Sequence, residues 1–123
     1  MDQNLWEDNL LERKLESDLK DLRKTLVAFA NSVKPGHTAV VLIGETDKGA
    51  IQGVIYPDHI QKKIRETCED IYPPILWRCF VYQKECKDCV RVEIEYDGET
   101  PHFGGKAWVR KGSTTKEASD EIF

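Results

Sequence analysis

The chain has 123 residues, enough for one domain with a real core and too few for two. Hydrophobic residues make up 40% and charged residues 33%, which excludes a disordered chain, and no apolar run is long enough for a transmembrane helix. A net charge of -4 excludes a protein that grips nucleic acid with its whole surface, but leaves room for a local basic face.

The start, Met1-Asp2-Gln3-Asn4, is polar and acidic, unlike a signal peptide, so the expected location is the cytoplasm with no membrane partner. Residues 1–16 support two readings. Leu10, Leu11 and Leu15 suit one face of a helix, whereas Leu11, Arg13 and Leu15 alternate with Glu12 and Lys14 as in a short strand. From Ser17 a helix is predicted, with Ser17 or Asp18 as its cap and Leu19, Leu22, Leu26, Phe29 and Ala30 at helical spacing. Pro35-Gly36 ends it. Residues 38–43 are β-branched and continuously apolar, the pattern of a strand covered on both faces. A turn over 44–49 leads to a second predicted strand over 50–55, interrupted by Gly53.

Pro57-Asp58 opens a second helix whose inner face carries Ile60, Ile64, Cys68 and Ile71, and Tyr72-Pro73-Pro74 breaks it. Residues 75–83 and 89–96 alternate and are joined by a short link, which predicts an antiparallel hairpin with Arg91, Glu93 and Glu95 outward. Asp97-Gly98 turns the chain, 101–105 is a loop, and 106–111 is a last strand. Thr114 onward is expected to begin a terminal helix.

Four sets of residues bear on chemistry. Glu7, Glu12, Glu45 and Asp47 lie near the ends of the first element and the apolar strand. Convergent carboxylates would suit magnesium or manganese, which prefer oxygen ligands and activate water for phosphodiester hydrolysis. On spacing alone, solvated surface acids are the stronger reading. The run Trp108-Val109-Arg110-Lys111-Gly112-Ser113-Thr114-Thr115 joins a basic pair to a glycine and three hydroxyls, a composition that suits a phosphate-binding nest. A plain turn with Thr114 or Thr115 capping a helix explains the same residues. Tyr72, Trp77, Tyr82, Phe103 and Trp108 would be stacking platforms for unpaired bases if exposed, but rings in strands are more often core, and most of these are read as core. Asn31 is read as a structural side chain at the helix end.

Cys86-Lys87-Asp88-Cys89 is a lone CxxC; zinc would need two more ligands from Cys68, Cys79, His59 or His102, and none stands in a second pair. The expectation is that Cys68 and Cys79 are buried, that the CxxC sits in a hairpin turn, and that zinc is not bound.

Taken together, Ala28-Phe29-Ala30-Asn31, Val41-Leu42-Ile43-Gly44-Glu45-Thr46-Asp47-Lys48-Gly49 with Gly53, Tyr72-Pro73-Pro74 and the Trp108–Thr115 run resemble the Schlafen AlbA-type domain, in a short, bacterial-type, single-domain form. That family has been described as a divergent AAA-like ATPase region and as a DNA-binding domain. The resemblance spans the chain from about Glu7. It implies one α/β (α+β) unit over residues 1–123, with a mixed, largely antiparallel sheet and two to three helices packed on it. It also implies that Leu11-Glu12-Arg13-Lys14 is a strand, against local propensity. In nuclease relatives two glutamates and an aspartate form a metal triad that cleaves transfer and ribosomal RNA. By resemblance these would be Glu7, Glu12 and Asp47, with Lys14 matching the family lysine.

Arg13 in place of the usual aromatic, and Val33-Lys34-Pro35-Gly36-His37 before the strand, depart from that pattern. Nuclease Schlafens also join two such lobes to form a basic trough, so a single lobe would act as a homodimer. ATP is not expected, because no GxxxxGK[ST] loop is present. The leading expectation is a nucleic-acid-binding domain for RNA or DNA, contacting phosphates through Arg110, Lys111, Ser113 and Thr114 with Lys14 nearby. The rivals are a magnesium- or manganese-dependent endoribonuclease and a protein-interaction module without nucleic-acid binding.

Overall fold

Leu11–Lys14 forms a short strand (β1) that lies parallel beside Thr38–Ile43 (β2), with Glu12 opposite Val41 and Lys14 opposite Ile43. The structure, a computed structural model, describes residues 10–98, 101–104, 108–111 and 114–117. Pairing with β2 decides the ambiguous first element in favour of strand. Four residues gain ladder bonds there that an isolated helical turn lacks.

Parallel neighbours need a crossover, and Leu22–Ser32 (α1) supplies it. The helix begins five residues after the predicted Ser17. Residues 15–22 instead form two turns, in which Asp18 N–H donates to the Leu15 carbonyl and Leu22 N–H to that of Leu19. Leu19 is buried all the same, because the turn delivers it to the core. Leu22, Leu26 and Phe29 are buried as their spacing predicts, and Val33 closes the helix by donating to the Phe29 carbonyl at 2.9 Å.

Pro57–Glu69 (α2) carries Pro57 in its first turn, where a missing N–H costs nothing, and buries Ile60, Ile64 and Cys68. Leu76–Lys84 (β3) and Lys87–Glu95 (β4) form the predicted hairpin, and the sheet order is β1-β2-β4-β3 with only β1 and β2 parallel. The two-residue turn, Glu85 and Cys86, takes positive φ at both positions (53° and 61°), the twist that a tight hairpin demands. The CxxC therefore begins in this turn with Cys86 and runs on into β4, which holds Cys89.

Two predicted elements are corrected. Residues 50–55 make no strand. They form a single bridge, Glu45 to Ile51, after which the Gly44 carbonyl accepts from both Gln52 and Gly53 and folds the segment into a loop. Gly53 has φ +75°, and a Cβ there would sit 2.9 Å from Lys87 Cβ, so this close approach requires glycine. The first described residues of the expected terminal helix, Thr114–Glu117, are not helical either. Trp108–Lys111 (β5) and Thr114–Glu117 (β6) pair as a separate antiparallel hairpin packed on α1, where β-branched Thr114 and Thr115 suit a strand.

The four-stranded sheet has two unlike faces. Ala39, Val41 and Ile43 of β2 join Val90, Val92 and Ile94 of β4 and the apolar sides of both helices in one core. The opposite face was expected to be covered over β2 as well. It buries Val40 but leaves Leu42 half-buried, and it carries Arg13, Arg78, Phe80, Tyr82, Arg91 and Glu93. Among the described residues, no helix is long and apolar enough to cross a membrane.

Candidate nucleic-acid interface

Strand register settles where the predicted acids stand. Partners in neighbouring strands share a face, so Glu12, beside fully buried Val41, lies on the helix-covered side. There its carboxylate is 3.7 Å from Nζ of Lys14, which is 7% exposed. An ammonium this deep needs a nearby negative charge, and Glu12 supplies one. Lys14, expected among the phosphate contacts, is thus held beneath the surface beside Glu12.

Glu45 behaves differently. After Ile43 the chain passes Gly44 at φ +112°, where a Cβ would meet Cys89 Sγ at 3.0 Å and Gly53 backbone at 3.2 Å. That bend sends Glu45 towards the open face. Its carboxylate, 2% exposed, accepts from Arg13 Nε at 3.1 Å and from the Tyr82 hydroxyl at 2.6 Å. Burial, then the bond and charge of Glu45, push the Tyr82 phenol well above the ordinary tyrosine range. Glu12 and Glu45 are therefore held by separate cations: Lys14 on the covered side and Arg13 on the open one.

Asp47 is exposed in the turn that follows, where Gly49 N–H donates to the Thr46 carbonyl and Ala50 N–H to the Thr46 hydroxyl. Glu12 and Asp47 offer the hard oxygen donors that magnesium or manganese takes, with Lys14 the competing cation at Glu12. Glu7, the third expected ligand, lies outside the described residues. Among the described residues, no three His, Cys, Asp or Glu side chains are grouped to hold a metal ion.

The open face carries its own ion-pair chain. Glu93 accepts from Arg78 Nε at 2.6 Å and Arg91 Nε at 2.7 Å. Burial alone would raise its pKa, but the two guanidinium bonds outweigh that and hold the carboxyl below its usual range. Together with Leu42, Glu45, Phe80 and Tyr82, these side chains line a shallow concavity of about 520 Å³.

The basic run resolves into a hairpin. Arg110 stands opposite Thr115, and Lys111 opposite Thr114, so each base has a hydroxyl residue as its cross-strand neighbour. Gly112 and Ser113, the predicted nest, lie outside the described residues.

The thiols do not converge. Cys68 and Cys79 belong to the helix-covered side, and burial, with Cys79 and Glu69 adding, pushes the Cys68 thiol up to about 12. Cys89 pairs with Tyr82 on the opposite face, and Cys86 is exposed at the turn. Asn31 proves structural, as its position predicted: its amide donates to the His102 carbonyl at 3.1 Å and accepts the His102 N–H at 2.7 Å. His102, fully buried, donates from Nδ1 to the Pro73 carbonyl at 2.6 Å and faces Asp97 with Nε2 at 3.3 Å. Nothing in the sequence set His102 apart from exposed His59, because the difference is made by partners at other points of the chain.

The profile of the Schlafen, AlbA_2 family matches residues 7–119 of this architecture. The chain belongs to that family. The match takes in β1, the turn carrying Asp47 and the β5–β6 hairpin, so the AlbA_2 resemblance holds over the whole arrangement and not one motif. Among solved structures, this AlbA_2 chain is similar to the N-terminal domain of a RecG-related protein from Nitrosomonas europaea. The TM-score is 0.60 at 23% identity, covering 91% of this chain and 84% of that one. It is also similar to the DIP2311 protein from Corynebacterium diphtheriae. There the TM-score is 0.65 at 14% identity, covering 89% of this chain and 22% of that longer one. Both likenesses are of fold. No curated protein matches the sequence.

Proposed function

We propose that this AlbA_2 domain binds nucleic acid, contacting phosphates through Arg110, Lys111, Ser113 and Thr114 at the turn end of the β5–β6 hairpin. The observation that supports it is the register: Arg110 pairs with Thr115 and Lys111 with Thr114, so basic and hydroxyl residues occupy partner positions on adjacent strands. Phosphate oxygens take that combination, charge for affinity and hydroxyl for position. The similar fold in a protein named for its relation to the DNA helicase RecG agrees with this reading. Arg110→Ala with Lys111→Ala is expected to weaken RNA or DNA binding and to flatten its salt dependence by about one unit per lost phosphate contact. Affinity and salt slope both equal to wild type would remove the hairpin from the interface.

A second reading, metal-dependent cleavage of structured RNA by Glu7, Glu12 and Asp47, draws support from the parallel pairing that sets Glu12 beside the strand leading to Asp47. Magnesium or manganese, held by these carboxylates, would supply an activated water. Cleavage of transfer RNA that stops with chelator and with Glu12→Ala is the expected result; no cleavage by concentrated, pure protein rejects it. In either reading, a homodimer is the unit that could build a trough from a single lobe. The open edge strand β3, with Leu76, Phe80 and Val81 exposed, is the candidate seam. Sedimentation tests it directly. The expected location is the cytoplasm.

A further inference from the structure

Two features on the helix side belong neither to the hairpin turn nor to the acidic strand end. The first is a concavity of about 530 Å³ lined by Lys20, Arg23, Lys24 and Lys63, with Asp21 its one carboxylate among the described residues. Lys20 and Lys63 have no carboxylate partner among the described residues. Arg23 and Lys24 fall in the first turn of α1, where acids are favoured and none is present, so helix stability does not account for them.

The second feature is a pair of exposed rings. Tyr72 and Phe103 are 75% and 45% exposed, yet the backbone beneath them is firmly built. The two residues exchange both N–H···O bonds, at 2.9 and 2.8 Å, which places their side chains next to each other on one face. Asn31 clamps the adjoining His102 backbone from both sides, and the His102 ring holds Pro73, next to Tyr72. Core packing does not explain two rings held outward on so rigid a support.

Arg23 joins the two features. A Cβ at Gly104 would lie 2.8 Å from Cγ and Cδ of Arg23 and 3.1 Å from Cγ2 of Val27, so the glycine next to Phe103 lets the backbone rest closely on this side chain. The Arg23 guanidinium reaches Asp70, two residues before Tyr72, at 3.1 Å. Gly104 lines the groove and follows Phe103, so the groove and the ring pair adjoin, with the Arg23–Asp70 ion pair at the join.

We propose that this surface holds an unpaired segment of nucleic acid, with phosphates in the Lys20–Arg23–Lys24–Lys63 groove and a base stacked on Tyr72 and Phe103. The inference rests on the reading of the domain as a nucleic-acid binder, and adds to it a second contact and a substrate class. A duplex hides the faces of its bases, so it can use the cations but not the rings. A single strand uses both.

The test measures anisotropy of a fluorescein-labelled oligouridylate of about 12 nucleotides, and of a duplex of that length, across a salt titration. Tyr72→Ala with Phe103→Ala should weaken single-strand binding about 5- to 100-fold and leave duplex binding unchanged. Tyr72→Phe, which keeps the ring, should bind as wild type. Lys20→Ala with Lys63→Ala should reduce the single-strand salt slope by about 1.4, or 0.7 for each lysine. All four side chains are exposed, so thermal melting should show native folding in each variant.

Loss confined to the Arg110→Ala, Lys111→Ala variant overturns this surface and leaves the proposed hairpin contact standing. Loss in the ring and lysine variants, with none in the hairpin variant, does the reverse. Equal loss of single-strand and duplex binding in the ring variant, or a change in self-association alone, overturns the inference. Failure of the wild-type chain to bind either probe overturns both readings.

Discussion

Replacing Tyr82 by phenylalanine removes one oxygen and isolates the most deeply buried carboxylate of the open face. The hydroxyl of Tyr82 lies 2.6 Å from Glu45 Oε2, within the charge-assisted range, and Glu45 is 2% exposed, so its carboxylate relies on protein donors. Arg13 still holds the other oxygen at 3.1 Å. A hydrogen bond to a charged group is worth about 1.5–3 kcal/mol, and leaving the buried oxygen unpaired places the expected loss near 2 kcal/mol. With a urea m-value of about 1–3 kcal/mol/M for a chain of this size, the unfolding midpoint should fall by roughly 1 M at unchanged m.

The pH dependence supplies a second readout. Because the folded phenol is raised above its unfolded value of about 10, the stabilisation is complete below that pH. It is lost as pH rises above it, since the unfolded chain releases the proton first. Wild type should therefore lose stability above about pH 10 through this group, and Tyr82→Phe should lose less over that window. A midpoint shift under about 0.3 M, or identical alkaline limbs, would refute the claim that Tyr82 satisfies Glu45.

Other consequences follow from the same geometry. Glu93 is depressed in the folded state, so its stabilisation is present above the ordinary glutamate range and lost as pH falls below it. Glu93→Gln should remove that part of the acid limb in urea melts, at a cost of about 1 kcal/mol at neutral pH. Asn31→Ala breaks two bonds to the His102 backbone across 71 residues of chain; a loss of about 1–3 kcal/mol and faster hydrogen exchange at His102 are expected. Gly44→Ala meets both a positive φ and backbone contacts at 3.2 Å, and should cost at least about 1–3 kcal/mol by thermal melting, more than any surface substitution in the same loop.

Periodicity alone gave both helices, the apolar strand over 38–43 and the β3–β4 hairpin, because each is written in local spacing of apolar residues. Its failures share one cause. Thr114–Glu117, where a helix was expected to begin, is a strand because a neighbouring strand pairs with it, and the strand expected at 50–55 is a loop because its amides turn back onto the Gly44 carbonyl. Local pattern carries no information about either partner. The strand at Leu11–Lys14 was reached only through family likeness, for the same reason.

The site divides along that line too. Residue order alone fixed which groups are available: the carboxylates of Glu12, Glu45 and Asp47, the bases of Arg110 and Lys111, the rings of Tyr72 and Phe103. Tertiary structure decided how they are grouped. The β1–β2 register put Glu12 with Lys14 on the covered side, and the bend at Gly44 gave Glu45 to Arg13 and Tyr82 on the other. Packing of Gly104 on Arg23 set a lysine groove beside two rings, Tyr72 and Phe103, that lie far apart in sequence. The physical reason is that a side chain's chemistry belongs to the residue, whereas its charge partner and its exposure are properties of the folded neighbours, which the chain brings together only after the core has closed.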